Sequence, residues 1–242
     1  MNPVAFEIFG LQVRWYGVLI TFGVILGTYI AGKNADSLDL KKDCISDYLI
    51  WAIPAAVIGA RAYYVLFNLD YYAGDFFRII NIRAGGLAVH GGFMAAVLVA
   101  AIFCKKNGIQ IFDFLDVIMT AVPLGQAIGR WGNFINGEAH GGPTDLPWAI
   151  VVDGQRVHPT FLYESIWDFA LFILLNVMFH KRKFSGEIFA AYLMGYSAGR
   201  FWIEALRTDS LYFGSFRAAQ LVSVIMIIIG VAVWFYGEKR RI

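Results

Sequence analysis

Seven apolar runs divide the chain, and they constrain its fold more than any other feature. Each approaches the roughly 20 residues that an α-helix needs to cross a bilayer. The fourth run is short and contains Pro123, so we expect it to be kinked or partly re-entrant. The runs are Trp15–Gly32, Tyr48–Phe67, Leu87–Cys104, Phe114–Ile128, Tyr163–His180, Ile188–Leu206 and Ala218–Tyr236.

The composition agrees with a membrane protein. Of the 242 residues, 59% are hydrophobic, whereas a soluble domain is about 45–50% apolar. No run repeats another and no linker interrupts the chain, so we predict an all-α polytopic membrane protein made of a single domain, residues 1–242. A net charge of only +2 gives no reason to expect a nucleic-acid partner.

The cysteines and the N-terminal segment indicate little processing. Cys44 and Cys104 lie in no paired motif, so a disulfide framework is not expected. The segment MNPVAFEIFG lacks a basic n-region, so we expect no cleaved signal peptide and a first span that acts as its own targeting signal.

Lysine placement predicts the topology. All eight lysines fall in the connections after the first, third, fifth and seventh spans. By the positive-inside rule the N-terminus lies outside and the C-terminus in the cytoplasm. Several arginines break this pattern on the outer side and are therefore candidates for binding: Arg14, Arg78, Arg83, Arg156, Arg207 and Arg217.

The longest outer connection, residues 131–162, predicts a small outer cap. Within it, Val151-Val152, then Asp153-Gly154, then a second Val-containing segment favour a two-stranded hairpin.

The segment 129–142, GRWGNFINGEAHGG, follows the fourth apolar run and is dense in hydrogen-bonding groups. Polar side chains this close to hydrocarbon need partners in protein, in a ligand or in a wet cavity. A polar loop at a helix end is the simpler interpretation, but the density favours a site. Its members are Arg130, Asn133, Asn136, Glu138 and His140.

Under this topology a set of titratable groups in or beside the spans lies in the outer half of the membrane. Because a charged residue near the bilayer centre costs at least ~2.5–3.5 kcal/mol, several at one depth predict a shared cavity. Helical spacing gives two stripes: Tyr196, Arg200, Glu204 and Arg207, and, if the helix continues, Gln126, Arg130 and Asn133. The remaining groups are Tyr16, Arg61, His90, Glu164 and Asp168.

Structural explanations remain open for several of these groups. Arg200 and Glu204 can form a structural ion pair that ties helices together, and Arg61 can extend to the outer head groups. His90 can be a packing residue that donates to a carbonyl. Glu164 and Asp168 are expected to be structural rather than catalytic.

Taken together, the cluster favours phosphate chemistry. A guanidinium group binds two phosphate oxygens in a bidentate manner and stabilises the charge on a leaving phosphate. His90, with an unperturbed pKa near ~6.5, suits proton transfer. No G-x-S-x-G elbow is present and both cysteines lie on the inner side, so the nucleophile must come from a second substrate. His90, His140 and His158 match no zinc spacing, and we expect neither a metal nor a cofactor.

These segments closely resemble the prolipoprotein diacylglyceryl transferase family. The resemblance extends from GRWGNFINGEAHGG to RWYG at 14–17, GGLAVHGG at 85–92, HPTFLYES at 158–165 and GYSAGRFWIEALR at 195–207. It implies transfer of the sn-1,2-diacylglyceryl group of phosphatidylglycerol to the lipobox cysteine thiol of a prolipoprotein, forming a thioether and releasing glycerol 1-phosphate. It also implies a bacterial cytoplasmic membrane and an active site towards the outer leaflet.

The resemblance also implies roles for individual residues. Arg130 and Arg200 match the family's essential arginines, and with His90 as base they form the predicted catalytic set. Arg61, from its depth in the second span, is added to the predicted substrate-binding positions, which are Tyr16, Arg61, Asn133, Asn136, Glu138, Tyr196, Glu204 and Arg207.

Other classes of membrane protein fit less well. A lipid transporter could use the same arginines without chemistry, and it stays the main alternative. An intramembrane protease lacks its Ser motif and paired aspartates, a retinal protein lacks a lysine in the last span, and a metal-dependent alcohol phosphatidyltransferase lacks an aspartate-rich run.

Overall fold

The computed structural model describes residues 2–41, 43–82 and 85–240, and within them the chain is predominantly helical. Lys42 and Arg83, which belong to the charge pattern above, lie outside the described residues. The helices are α1 Trp15–Asp36, α2 Cys44–Leu66, α3 Leu69–Tyr72, α4 Phe76–Ile80, α5 Val89–Asn107, α6 Ile111–Met119, α7 Val122–Ile135, α8 Thr160–Phe179, α9 Glu187–Glu204 and α10 Ala218–Lys239.

Five of these helices are long and apolar enough to cross a membrane: α1, α2, α5, α8 and α10. They coincide with the first, second, third, fifth and seventh predicted spans. The chain is therefore a multi-pass membrane protein.

The predicted fourth span is two helices rather than one. α6 and α7 meet at an angle of 42° across a short break, and together they count as a sixth candidate span. Pro123 lies in the first turn of α7, where its missing N–H needs no helical partner. The predicted kink is confirmed, but the helix runs on to Ile135 rather than ending at Ile128, so Gln126, Arg130 and Asn133 share one helix.

The predicted sixth span, Ile188–Leu206, corresponds to α9. This helix carries Glu187, Arg200 and Glu204 within its 18 residues, and it is not among the candidate spans of the described chain. The described helices therefore give five spans, or six with the bent pair, where the sequence predicts seven. The count of seven and the orientation of the termini stay predictions.

Three two-stranded antiparallel hairpins accompany the described helices: β1 Val4–Ile8 with β2 Leu11–Arg14, β3 Ile150–Val152 with β4 Gln155–Val157, and β5 Tyr212–Phe213 with β6 Phe216–Arg217. The β3–β4 hairpin confirms the prediction for the outer connection. Its turn residues Asp153 and Gly154 have φ of 49° and 77°, the positive values that a tight hairpin turn requires.

The chain divides into two compact units, each described by itself. The first comprises the chain up to Asn34 and from Leu115 onward, and the second comprises Ala35–Phe114. In the first unit, α7 packs on α8 and α8 packs on α9, and these three helices carry Arg130, Glu164 and Arg200. In the second, α2 packs on α5 so closely that a Cβ on Gly91 would lie 2.3 Å from the Gly59 carbonyl oxygen.

Candidate functional site

Glu164 forms the centre of a charged cluster in the first unit. It lies in the second turn of α8, where its side chain is only 4% exposed. Arg130 Nη2, on α7, lies 2.5 Å from its Oε2. Arg200 Nη1, on α9, lies 2.9 Å from its Oε1, and Arg207 Nη1 lies 3.1 Å from the same oxygen. One carboxylate therefore gathers three guanidinium groups from separate segments.

A second glutamate completes the pairing along α9. Glu204, 2% exposed, lies one turn after Arg200, with Oε2 2.6 Å from Arg200 Nη2. Arg207 Nε lies 3.8 Å from the same oxygen. The ion pair expected between Arg200 and Glu204 is thus present. Of the predicted stripe, Tyr196, Arg200 and Glu204 share α9, but the helix ends at Glu204 and Arg207 lies beyond it.

Arg207 links this cluster to the exposed Asp209 in the segment after α9. Its Nε and Nη2 bind both carboxylate oxygens of Asp209, at 2.9 and 2.6 Å. Partial burial raises the pKa of Asp209, but hydrogen bonds and attraction from Arg207 outweigh this and lower it below the ordinary value. For Arg207 burial acts in the opposite direction and lowers the pKa. Its hydrogen bonds to Asp209 and the attraction of Glu164 outweigh this effect, so the pKa of Arg207 is raised overall. Both groups therefore stay charged.

Arg130 is the least engaged of the cluster's arginines. Among the described residues its one ion-pair partner is Glu164, through Nη2, and its side chain is 20% exposed. A guanidinium has five N–H donors, so the remaining nitrogens can bind a further anion.

The sequence predicted that Arg130 and Arg200 converge, and they do so through Glu164. Glu164 itself was expected to be structural, and its place between the arginines was missed. A signal was available: it is an acid at the same predicted depth as several arginines, which must be balanced in a low dielectric.

Asp168 lies one turn beyond Glu164 on α8 and is 2% exposed. Its Oδ2 accepts no hydrogen bond from the described residues. Its charge interacts with those of Arg130, Glu164 and Arg200. It therefore belongs to the same electrostatic cluster without pairing directly in it.

The remaining polar residues of the segment 129–142 lie in the last turn of α7 and in the loop after it. Asn133 Nδ2 and Asn136 Nδ2 both donate to Glu138 Oε1, at 3.4 and 2.9 Å. Gly137 and Ala139, on either side of Glu138, have φ of 73° and 61°. For an L-residue such as Ala139 that conformation costs about 1 kcal/mol, and the Thr160 hydroxyl holds it by donating to the Ala139 carbonyl at 2.7 Å.

Gly141 fastens this loop to the end of α9. Its N–H donates to the His158 carbonyl at 2.9 Å, and the N–H of Gly142 donates to the Leu206 carbonyl at 3.0 Å. A Cβ on Gly141 would lie 2.7 Å from His158 Cβ and 2.8 Å from the Leu206 oxygen. Only glycine allows this approach, which keeps the loop beside Arg207.

Tyr16 and Tyr196 belong to the same compact unit as the charged cluster. A Cβ on Gly132 would lie 2.5 Å from the Tyr16 ring, so Tyr16 packs against α7 between Arg130 and Asn133. The ring of Tyr196 stacks on that of Tyr192 with centroids 5.6 Å apart.

Arg61 and His90 lie in the second unit. Arg61 is 6% exposed, and its three nitrogens donate to backbone carbonyls at 2.6 to 2.9 Å: those of Arg78, Ile79, Gly85 and Gly86. Its guanidinium therefore organises the chain around it, rather than extending to head groups. His90 is exposed in the first turn of α5, with its ring 6.2 Å from that of Tyr63.

Two other kinds of group could supply chemistry, namely thiols and metal ligands. Cys44 and Cys104 are buried free thiols of the second unit. Among residues 2–41, 43–82 and 85–240, no group of three or more His, Cys, Asp and Glu side chains is arranged to hold a metal ion.

Apolar spans that enclose a buried cluster of arginines and glutamates define an integral membrane protein with a candidate anion site. Comparison with known proteins makes this specific. The model of the family described as prolipoprotein diacylglyceryl transferase matches residues 3–236, and the chain belongs to that family.

Relatives match over their full length. A protein of Finegoldia magna named phosphatidylglycerol–prolipoprotein diacylglyceryl transferase is 52% identical, over 100% of this chain and 98% of the relative. A protein of Clostridioides difficile with the same name is 50% identical, over 100% and 97%. A protein of Clostridium perfringens named phosphatidylglycerol–prolipoprotein diacylglyceryl transferase 1 is 47% identical, over 100% of this chain and 98% of the relative.

Proposed function

We propose that this chain transfers the diacylglyceryl group of phosphatidylglycerol to the lipobox cysteine of prolipoproteins, the first step of bacterial lipoprotein maturation. Family membership and full-length relatives that carry this name support the reaction. The observation that carries it at the level of the site is the convergence of Arg130, Arg200 and Arg207 on one buried carboxylate.

In this proposal the lipid phosphate binds among the three arginines that pair with Glu164 in the structure. Arg130 supplies its uncommitted donors, and Arg200 adds a second fork that Glu204 orients. Both then stabilise the charge that develops as the phosphate leaves, in a site where low dielectric strengthens the interaction. Glu164 keeps the guanidinium groups together before the lipid arrives.

The chemical step is a displacement at C3 of the diacylglyceryl group. The thiol sulfur forms the new S–C3 bond, the C3–O bond to phosphate breaks, and its electron pair leaves with glycerol 1-phosphate. The thiol proton must go elsewhere, and His90 is our candidate to receive it, because a free thiol has a pKa near ~8.5. Wild-type turnover by H90A across about pH 6–9 would exclude His90 as the base.

The other predicted binding residues surround the head group in this proposal. Tyr16, packed on Gly132, and Tyr196, one turn before Arg200, limit where the lipid lies. Asn133, Asn136 and Glu138 form the polar end of the site. Arg61 contributes by holding the segment around Gly85 and Gly86, just before His90.

We further propose one integral membrane domain with seven spans, in which α9 is the sixth. The N-terminus lies outside, the C-terminus lies in the bacterial cytoplasm, and residues 131–162 form the outer cap. The charged cluster then lies towards the outer leaflet, where prolipoproteins emerge. Lysine placement supports this orientation. The proposal involves no metal, cofactor or nucleic acid.

The test uses purified protein in vesicles of phosphatidylglycerol with a lipobox peptide. Transfer predicts a gain of one diacylglyceryl mass on the peptide and an equal release of glycerol 1-phosphate. A peptide with serine in place of cysteine should gain nothing. The transporter alternative predicts movement of intact phosphatidylglycerol and no thiol-dependent release of glycerol phosphate.

A further inference from the structure

Glu138 has one committed and one uncommitted carboxylate oxygen. Asn133 and Asn136 both direct their amide N–H groups to Oε1. Within the described part of the chain, no hydrogen bond reaches Oε2, and the residue is exposed. The two amides are therefore occupied in fixing the carboxylate, and the group they present outward is an acceptor.

The backbone around Glu138 is held in a special conformation. Left-handed residues flank it, and one of them, Ala139, is a buried non-glycine residue at φ 61°. The hydroxyl of Thr160 fixes the Ala139 carbonyl. Such conformations persist only where the surroundings impose them, and they are frequent at binding sites. The carboxylate is thus placed before any ligand arrives.

This end of α7 disfavours an anion. α7 ends at Ile135, and the C-terminal end of a helix carries partial negative charge. Glu138 adds a full negative charge nearby. A phosphate here would meet repulsion, whereas hydroxyl groups would meet an acceptor with a free lone pair. Asn133 and Asn136 donate to Glu138, so their contacts favour a ligand that donates over a phosphate.

The order of residues along α7 matches the order of groups in the proposed lipid. Arg130 lies one turn before Asn133, so the phosphate-binding group and the Glu138 loop follow each other along one helix. In phosphatidylglycerol the phosphate is followed by a glycerol with two adjacent hydroxyls. Carboxylates recognise adjacent hydroxyls in other sites, such as the ribose of dinucleotides.

We propose, resting on the function proposed above, that Glu138 is a specificity-determining residue that accepts hydrogen bonds from the vicinal hydroxyls of the head-group glycerol. Asn133 and Asn136 position its carboxylate. The site thereby selects phosphatidylglycerol over anionic phospholipids of the same charge that lack these hydroxyls.

The test compares two lipids in one assay. Phosphatidylpropanol carries the same phosphodiester charge as phosphatidylglycerol but no head-group hydroxyl. For the wild-type protein in vesicles with a lipobox peptide, we expect kcat/KM to favour phosphatidylglycerol by about tenfold to a hundredfold. In Glu138→Gln this preference should fall to about threefold or less, through loss on phosphatidylglycerol alone.

Two further variants calibrate the result. Asp153→Asn removes one acid from the exposed turn of the cap hairpin, where Asn tolerates the positive φ, and it should keep the full preference. Glu138→Asp keeps the charge on a shorter arm and should retain part of the preference, so it serves if the Gln variant does not fold.

The possible outcomes separate the two proposals. A wild-type protein that uses both lipids equally would overturn the inference without any variant. A Glu138→Gln variant that loses activity equally on both lipids, with a raised KM for the peptide, would assign Glu138 to peptide binding instead. Absence of transfer from either lipid by the wild type would refute the proposed function itself.

Discussion

Arg200 shows what a guanidinium supplies at this site that a single charge does not. Its Nη1 and Nη2 reach Glu164 and Glu204 at the same time, at 2.9 and 2.6 Å. Lysine would keep the positive charge but lose the planar fork. For Arg200→Lys we therefore expect kcat to fall about a hundredfold, the typical loss of one donor to a developing charge.

The matched control for that variant is Arg182→Lys. Arg182 also forms a buried ion pair, with Asp116 at 2.9 Å, but outside the cluster. Release of glycerol 1-phosphate under saturating lipid measures the difference. Equal losses in the two variants would mean that Arg200 acts through folding alone.

Asp209 gives a prediction for pH. Its pKa in the folded protein lies below the ordinary value of about 3.9, so its pairing with Arg207 stabilises the fold above that pH. The contribution is lost as pH falls through the lowered pKa. Asp209→Asn should therefore reduce the unfolding temperature slightly at pH near 7, and the difference from wild type should shrink as the pH falls below the ordinary value of about 3.9 and through the lowered pKa. A difference that persists undiminished in acid would contradict the pairing.

The individual site residues were only partly accessible to sequence reasoning. Arg130 and Arg200 stood out because of their predicted depth and helical spacing in the spans, and both do pair with Glu164. The carboxylate that joins them did not stand out, since one acid near a helix end has many ordinary uses. Likewise, nothing in the spacing revealed that Arg61 binds four backbone carbonyls, because that depends on where the chain places the carbonyls of Arg78, Ile79, Gly85 and Gly86.

At the scale of helices, the packing of α8 on α9 sets where Arg200 lies. A Cβ on Gly199 would lie 2.2 Å from Trp167 Nε1, which donates to the Gly195 carbonyl at 2.9 Å. Gly199→Ala must push this ring away, and overpacking of this kind costs about 1–3 kcal/mol. Because Arg200 is the next residue, we expect both a lower unfolding temperature and at least about a tenfold loss of turnover.

Gly32→Ala in α1 is the control for this change. A Cβ there meets nothing within 4 Å, and alanine is the better helix former. The control should match or exceed wild type in stability. If Gly199→Ala behaves in the same way, the close contact with Trp167 does not position α9.

The elements were predictable where one pattern dominates. Long apolar runs and a Val-Val, Asp-Gly sequence gave the spans and the β3–β4 hairpin. The two other hairpins were missed because β5 and β6 have two residues each and β1 continues almost directly into α1. Strands this short carry no periodicity that separates them from a loop.

The whole molecule depends on how many times the chain crosses the membrane. Among the described residues, five apolar helices and one bent pair give up to six candidate crossings, and α9 is not one of them because it bears three charges in 18 residues. If α9 also crosses, the number is odd and the termini lie on opposite sides. The lysine distribution favours this arrangement, since the connections that carry lysine alternate along the chain.

Cysteine labelling can decide the topology, because the two native cysteines are buried at 1% and 2% exposure and can be replaced by alanine. In that background Asp153→Cys places a thiol on the cap, and Lys106→Cys places one after α5; both positions are exposed. We expect a membrane-impermeant maleimide to label position 153 in intact cells stripped of outer layers, and position 106 only after permeabilisation. Labelling of both positions would contradict this topology. The reverse order would place the arginine cluster at the inner face, because an isolated β-bridge joins Arg207 to Gly141 in the cap.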